Sequence, residues 1–318
     1  MARPLLRRLK IPLRIAVAAL LLWLVVRKIP LDDVAQSLEH VSWRLFALGT
    51  ALFLPTFLLQ ALRWRALFAG GRDSVPGVWA FFRLICIGQF ASLFLPSSAG
   101  GDVVRAVLLG RDEKAYGAAA GSILLGRVVG VAALVAFVWI GRAVEPAHLG
   151  ALPRAVPAMA VLTAGLALCC AFLAFAPDAW LAKALDRPKL AGLLANVRGA
   201  RALPAREKAA VVALSVAIQF LSNLLTAVLY WAVGMPFPAI GLFTLLPLLM
   251  LVNMVPVSFF NIGVREAAMI ALFTPLPGIT AAQCVAASAL GYVSVLFPSA
   301  VGALFWACRA KKGEGEGR

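Results

Sequence analysis

Charge is scarce in this sequence. Only 14% of its 318 residues are Asp, Glu, Lys or Arg, where a water-soluble domain carries about a quarter. Acid is scarcer still, with 14 Asp and Glu against 30 Lys and Arg. No stretch is polar enough to form a separate soluble domain, so residues 1–318 read as a single domain with short basic tails at 1–10 and 309–318. Histidine is limited to His40 and His148, each alone in a loop. The five cysteines (Cys86, Cys169, Cys170, Cys284 and Cys308) lie in or at the end of apolar segments, and none has metal-ligand spacing with a histidine. They read as small apolar packing residues, and no metal or cofactor is expected. Gly-x-Ser-x-Gly, His-Glu-x-x-His, the Walker loop and Cys-x-x-Cys are all missing. Without a nucleotide motif, ATP-driven transport by this chain alone is not expected, and no catalytic residue is assigned.

What the sequence has in excess is apolar surface. Hydrophobic residues make up 62% of it, against roughly half in a soluble domain. No water-soluble fold hides that much, so lipid is the solvent. Apolar runs occupy residues 15–26, 45–62, 78–96, 117–140, 156–176, 209–233, 240–257 and 279–307, several near the length of about 20 residues that crosses a bilayer. Two more, 103–109 and 267–273, are too short to cross alone. The N-terminus imitates a signal peptide but lacks a small-residue cleavage site before Arg27, so 15–26 is expected to remain as a first span. All eight tryptophans fall near predicted span ends, the pattern of an interfacial aromatic belt.

The net charge of +16 is sorted between the spans. It does not form the aromatic-interleaved basic face of a nucleic-acid binder. Segments 1–14, 63–73, 177–208 and the tail are basic, whereas 27–44 balances Arg27, Lys28 and Arg44 with Asp32, Asp33 and Glu39. The excess of Lys and Arg on cytoplasmic loops places the basic segments and both termini inside. That orientation closes only if 78–96 with 103–109, and 240–257 with 267–273, form two re-entrant helical hairpins entered from opposite sides. The expected fold is therefore an all-α, polytopic helical bundle with two re-entrant hairpins related as an inverted repeat, in a bacterial inner membrane. The two tips agree in part. Pro96-Ser-Ser-Ala-Gly-Gly-Asp-Val-Val-Arg105 and Pro256-Val-Ser-Phe-Phe-Asn-Ile-Gly-Val-Arg265 share Pro, Ser, Val and Arg in register.

Arginine placement carries the functional expectation. Arg105 and Arg265 each fall at the start of a short helix, with Asp102 or a serine, and Asn261, as candidate caps. A cation is unfavourable at a helix N-terminus, and a rule broken inside a membrane points to function. Two helix N-termini and two guanidinium forks would bind an anion such as a phosphate. Arg127 lies near the bilayer midplane and needs a partner, for which Asp102 and Glu266 are the candidates. Arg63, Arg65, Arg111 and Lys114 are expected to snorkel to the interface. Gln89, Gln219, Asn223 and Asn253 are either interhelical glue or cavity lining.

The two tip segments, together with Ser122-Ile-Leu-Leu-Gly-Arg127 and Glu266, resemble the lysylphosphatidylglycerol synthase transmembrane family, also called flippase-like domain proteins. The resemblance runs from about Leu13 to Ala307. It departs at Phe259-Phe260-Asn261, where the family usually has small residues and glycine. It implies a membrane domain that moves, or helps move, anionic or modified lipids between leaflets. In the best-known members a soluble aminoacyl-transferase domain follows; the sequence ends at Arg318 without one, so no synthase activity is expected. The substrate-binding set expected on these grounds is Arg105, Arg265, Arg127, Asp102, Glu266, Ser98, Ser258 and Asn261. Its ligand would be an anionic or polyprenyl-phosphate lipid, with a lipid-modifying enzyme or a second copy of the chain as partner. A non-transporting accessory or scaffold subunit of a lipid-modifying or glycan-assembly system is the alternative. A membrane transferase using Asp102 or Glu266 as base is a third class.

Overall fold

The structure is a computed structural model, and it describes residues 31–69, 75–95, 100–144, 160–161, 163–166, 168, 196–254 and 261–315. The described residues are helical, with no strand among them. In chain order the helices are α1 (Leu31–Glu39), α2 (Trp43–Ala51), α3 (Phe53–Ala69), α4 (Val78–Ser92), α5 (Gly100–Asp112) and α6 (Tyr116–Val144). There follow α7 (Ala205–Ala232), a 3-10 turn (Ala239–Leu242), α8 (Leu245–Asn253), α9 (Val264–Phe273), α10 (Ala281–Ser294) and α11 (Leu296–Gly315). Four described helical stretches are long and apolar enough to cross a membrane: Trp43–Phe68, Tyr116–Val144, Ala205–Ala232 and Ala281–Arg309. The protein is an all-α polytopic membrane protein. The run 15–26 lies outside the described residues, as does most of 156–176.

Two of these spans are broken where proline dictates. Proline lacks an N–H and its ring clashes with the carbonyl four residues back. Accordingly α2 ends at Ala51, four residues before Pro55, and α10 ends at Ser294, four before Pro298. The chain continues in nearly the same direction because the neighbouring bonds persist, such as Leu52 N–H to the Leu48 carbonyl at 3.1 Å.

Packing divides into two apolar cores. One joins α3, α4, α5 and the start of α6 around Trp64, Phe68, Phe81, Ile85 and Leu109. The other joins α7, α8, α9 and α10 around Tyr230, Leu246, Met269, Phe273 and Leu290. Side-chain pairings fix how the helices run. Phe305 of α11 meets Trp79 and Phe82 edge-on, with ring centres 5.8 and 6.3 Å apart. A Cβ added to Gly302 would stand 2.9 Å from Phe90 Cβ. So α11 is antiparallel to α4. Arg309 donates to Asp112 Oδ1 at 2.5 Å, which sets the end of α5 beside the end of α11. The start of α4 and the end of α5 therefore share one end of the bundle. Arg65 Nε donates to the Pro76 carbonyl at 3.0 Å, and Phe68 packs on Phe81 with ring centres 5.8 Å apart, so the end of α3 lies there too.

The second short pair is placed the other way. Phe243, just before α8, packs on Phe137 near the end of α6, with ring centres 5.4 Å apart. Phe273, at the end of α9, packs on Tyr230 and Phe237, by the end of α7. Ser42 N–H bonds the Ala232 carbonyl at 2.8 Å, so α2 begins at that same end.

The helix boundaries differ from the sequence expectation at both short helices. The run 103–109 is the middle of a helix that already begins at Gly100, so Asp102 sits inside the first turn and is not a cap, and Arg105 sits in the second turn. Asn261 does not cap α9 either. It takes a left-handed backbone, φ 58°, and Gly263 at φ 82° is the N-cap. A left-handed turn of that sort favours glycine because it has no Cβ.

Candidate functional site

The site grows from a stripe on α3. Gln60, Arg63, Trp64 and Leu67 are spaced i, i+3, i+4 and i+7, one face of a helix. Trp64 is buried and donates its indole N–H to Ser122 Oγ on α6 at 2.9 Å; a buried indole needs such a partner. Arg63 extends along α6 past Gly126 and Gly130, where the missing side chains leave its guanidinium room. Its Nη1 donates to Ser215 Oγ on α7 at 3.1 Å.

The second wall is the contact of α4 with α5. It is close because glycine faces glycine: a Cβ on Gly88 would stand 2.9 Å from the Gly101 carbonyl oxygen. The same Cβ would be 2.6 Å from Arg105 Cγ and 2.8 Å from Cδ. Arg105 is thus threaded over Gly88, and its guanidinium carbon stands 5.8 Å from the centre of the Trp64 ring, a cation–π approach. Asp102, one helical turn earlier, ion-pairs with Arg105 through Oδ1. A carboxylate in the first turn also suits the positive end of the helix dipole.

Arg127 closes the site from the middle of α6. Its Nε donates to Asp102 Oδ2 at 2.5 Å, and its Nη2 ion-pairs with the same oxygen. Asp102 is only 8% exposed, and each of its oxygens holds a different arginine. The result is a cleft of about 210 Å³ lined by Gln60, Arg63, Trp64, Ile85, Asp102, Arg105, Ser122, Ile123, Gly126 and Arg127. Three guanidinium groups face one carboxylate there, an excess of two positive charges. The Nε of Arg105 is buried without a hydrogen-bond partner.

Of the residues expected from the sequence, this cleft unites Arg105, Arg127 and Asp102. Arg265, Glu266 and Asn261 do not line it. Ser98 and Ser258 lie outside the described residues. Arg265 forms its own arrangement in the second core, with its guanidinium 5.1 Å from the Tyr292 ring centre. A Cβ on Gly291 would press within 3.0 Å of its Cζ, so Gly291 makes room for Arg265 as Gly88 does for Arg105. Glu266 is buried and accepts from Ser288 Oγ at 2.5 Å and from Gly263 N–H at 2.6 Å. The second bond is half of a capping box, since glycine has no hydroxyl to reciprocate. Asn261 donates to the Asn253 carbonyl, holding the two ends of the segment 254–260 together.

Two residues depart from their sequence reading. Arg63 does not snorkel; it faces the cleft. Trp64 is not in an aromatic belt, being 5% exposed, whereas Trp43 and Trp79 are 67% and 52% exposed. The signal that finds both is the α3 stripe, with a glutamine and an arginine on the same face as a tryptophan. Gln219 and Asn223 resolve as interhelical glue, donating to the carbonyls of Gly130 at 3.1 Å and Leu242 at 2.9 Å.

The family model described as the lysylphosphatidylglycerol synthase TM region matches residues 11–302. Neither the curated proteins nor the solved structures contain a match. That match spans all the cleft-lining residues and nearly all the described helices, and the chain belongs to the lysylphosphatidylglycerol synthase TM-region family.

Proposed function

We propose that this protein moves phosphate-bearing lipids between the leaflets of the bacterial inner membrane, with the headgroup passing through the three-arginine cleft. One observation carries the reading: Arg63, Arg105 and Arg127 converge from three helices on a cleft that holds a single carboxylate. Uncompensated cations inside a membrane are costly and mark substrate paths. Guanidinium forks match phosphate oxygens in geometry as well as charge. Asp102 and Glu266 serve as holders of arginines and helix ends, and no catalytic step is assigned to either.

The helix directions support two re-entrant hairpins. The α4–α5 pair begins and ends beside the end of α11, and the α8–α9 pair begins and ends at the opposite face. Among the described residues the first face carries Arg65, Arg111, Lys114, Arg206, Lys208 and Arg309 with Asp112, Glu113 and Glu207; the second carries Asp32, Asp33 and Glu39 with Arg44 and Arg142, so basic residues are concentrated on the first. By the positive-inside rule the first face is cytoplasmic, which agrees with cytoplasmic termini. Two opposed hairpins with a charged site at one of them is a transporter arrangement.

The test is leaflet exchange of fluorescent anionic phospholipids in liposomes containing the purified protein, with wild type beside Arg105→Ala, Arg127→Ala and Arg265→Ala. Exchange that is lost in the folded Arg105 and Arg127 variants supports the reading. Folded protein that exchanges no lipid class would overturn it in favour of the accessory-subunit role.

A further inference from the structure

We infer that the cleft selects a phosphate monoester, a dianionic terminal phosphate, over a phosphodiester. This rests on the lipid reading of the cleft given above and adds the charge and size of the group it takes.

The argument is one of charge balance. A guanidinium group carries its positive charge at neutral pH. Asp102 neutralises one of them, and its two oxygens are already committed to Arg105 and Arg127. Arg63 donates to a neutral hydroxyl, Ser215 Oγ, and pairs with no carboxylate among the described residues. A phosphodiester brings one negative charge and leaves one cation uncompensated in a low-dielectric site. A monoester brings two and closes the balance. An uncompensated charge at membrane depth is expensive, more so beside Asp102, which is 8% exposed, than at Arg127, whose side chain is 38% exposed.

Size points the same way. At about 210 Å³ the cleft is smaller than the 300 Å³ or so at which drug-sized ligand sites begin. A bare terminal phosphate on its ester stem fits that space better than a diester with a sugar or amino-acid substituent. Donors also reach the cleft from more than one side. They approach from α3, α5 and α6, and the buried Nε of Arg105 still has an N–H to give.

Among the described lining residues there is no His, Cys, Lys, Tyr or Glu. Among the described residues the charges lining the cleft are Arg63, Arg105, Arg127 and Asp102. The pH response should therefore belong to the phosphate, whose second ionisation falls near pH 6.

The experiment uses the full chain in nanodiscs doped with phosphatidic acid or with phosphatidylmethanol, a diester of nearly the same size. Binding is read as thermal stabilisation. At pH 9 phosphatidic acid is expected to bind about tenfold more tightly, and at pH 5, where both lipids carry one charge, the preference should vanish. Arg63→Gln should bring the pH 9 ratio close to one, while Arg63→Lys, which keeps the charge, should preserve it. Inorganic phosphate and dimethyl phosphate form the soluble arm. Inorganic phosphate matching phosphatidic acid in affinity would make a free phosphate the ligand, still with monoester selectivity. Equal binding of the two lipids at pH 9 would overturn the inference while leaving lipid exchange, measured separately, intact. Binding of neither lipid nor phosphate would overturn it as well.

Discussion

Arg127 donates from Nε to Oδ2 of Asp102 at 2.5 Å, tying the middle of the long helix α6 to the first turn of the short helix α5. The same carboxylate holds Arg105 through its other oxygen. Asp102 is thus the common anion of two cations that would otherwise repel each other. Without it, α5 and α6 would meet through like charges.

Asp102→Ala should therefore destabilise strongly, because it leaves cations unpaired. Breaking a buried pair costs about 3–5 kcal/mol. The lower end is expected here, since the Arg127 side chain is 38% exposed. The Asp102→Ala, Arg127→Ala double-mutant cycle, read from denaturation in detergent, should show a coupling of about 1–3 kcal/mol. Additive effects would mean that the pair is incidental.

Gly88→Ala should push α4 and α5 apart, since the new methyl meets Arg105 and the Gly101 backbone. Overpacking of this sort costs roughly 1–3 kcal/mol, and lipid exchange should fall with it because Arg105 is displaced. Gly77→Ala is the control. Gly77 caps α4 with φ −63° and has no atom within 4 Å of an added Cβ, so stability and exchange should stay at the wild-type level.

Ser122→Ala should remove the acceptor of the Trp64 indole and leave a buried N–H unsatisfied. The expected loss is about 1–3 kcal/mol. Trp64→Phe removes the donor as well as part of the ring, so the double variant should lose less than the sum of the single losses. Thermal unfolding of the four proteins measures this.

Topology gives a prediction with a binary outcome. In a background without native cysteines, Asp112→Cys and Arg309→Cys should react with an impermeant thiol reagent from the same side of the membrane, and Pro277→Cys from the other. Labelling of positions 112 and 309 from opposite sides would refute the first hairpin. Removing the Asp112–Arg309 pair itself should cost less than about 1 kcal/mol, as exposed ion pairs do.

The long spans were legible because a bilayer imposes a length and a composition on any helix that crosses it. Trp43–Phe68 and Tyr116–Val144 contain the predicted runs 45–62 and 117–140, and Ala205–Ala232 and Ala281–Arg309 overlap 209–233 and 279–307 to within one or two residues. Helix ends were less legible. The start of α5 lies in Gly100-Gly101-Asp102, residues that read as turn, and Gly101 packs there on Gly88. Gly263 took the cap position from Asn261 because the backbone at that point needed a positive φ.

The candidate site was half legible. Arg127 announced itself because a charge that deep must be paired, and Asp102 was one of two possible partners. Local sequence could not choose between Asp102 and Glu266, since the choice depends on which helix packs against α6. Arg63 was hidden for a related reason. An arginine near a span end looks the same whether it reaches outward to water or inward to a cleft.

The sequence by itself determined an all-helical membrane protein, its long spans, its excess of positive charge and the family it belongs to. Those properties follow from hydrophobic length, from charge sorting and from short motifs, all of which are local along the chain. Only the tertiary structure decided that Arg63, Arg105 and Arg127 share one cleft and that Arg265 stands apart. Such placement depends on glycine contacts between helices distant in sequence, and close approach of backbones is a property of pairs of helices.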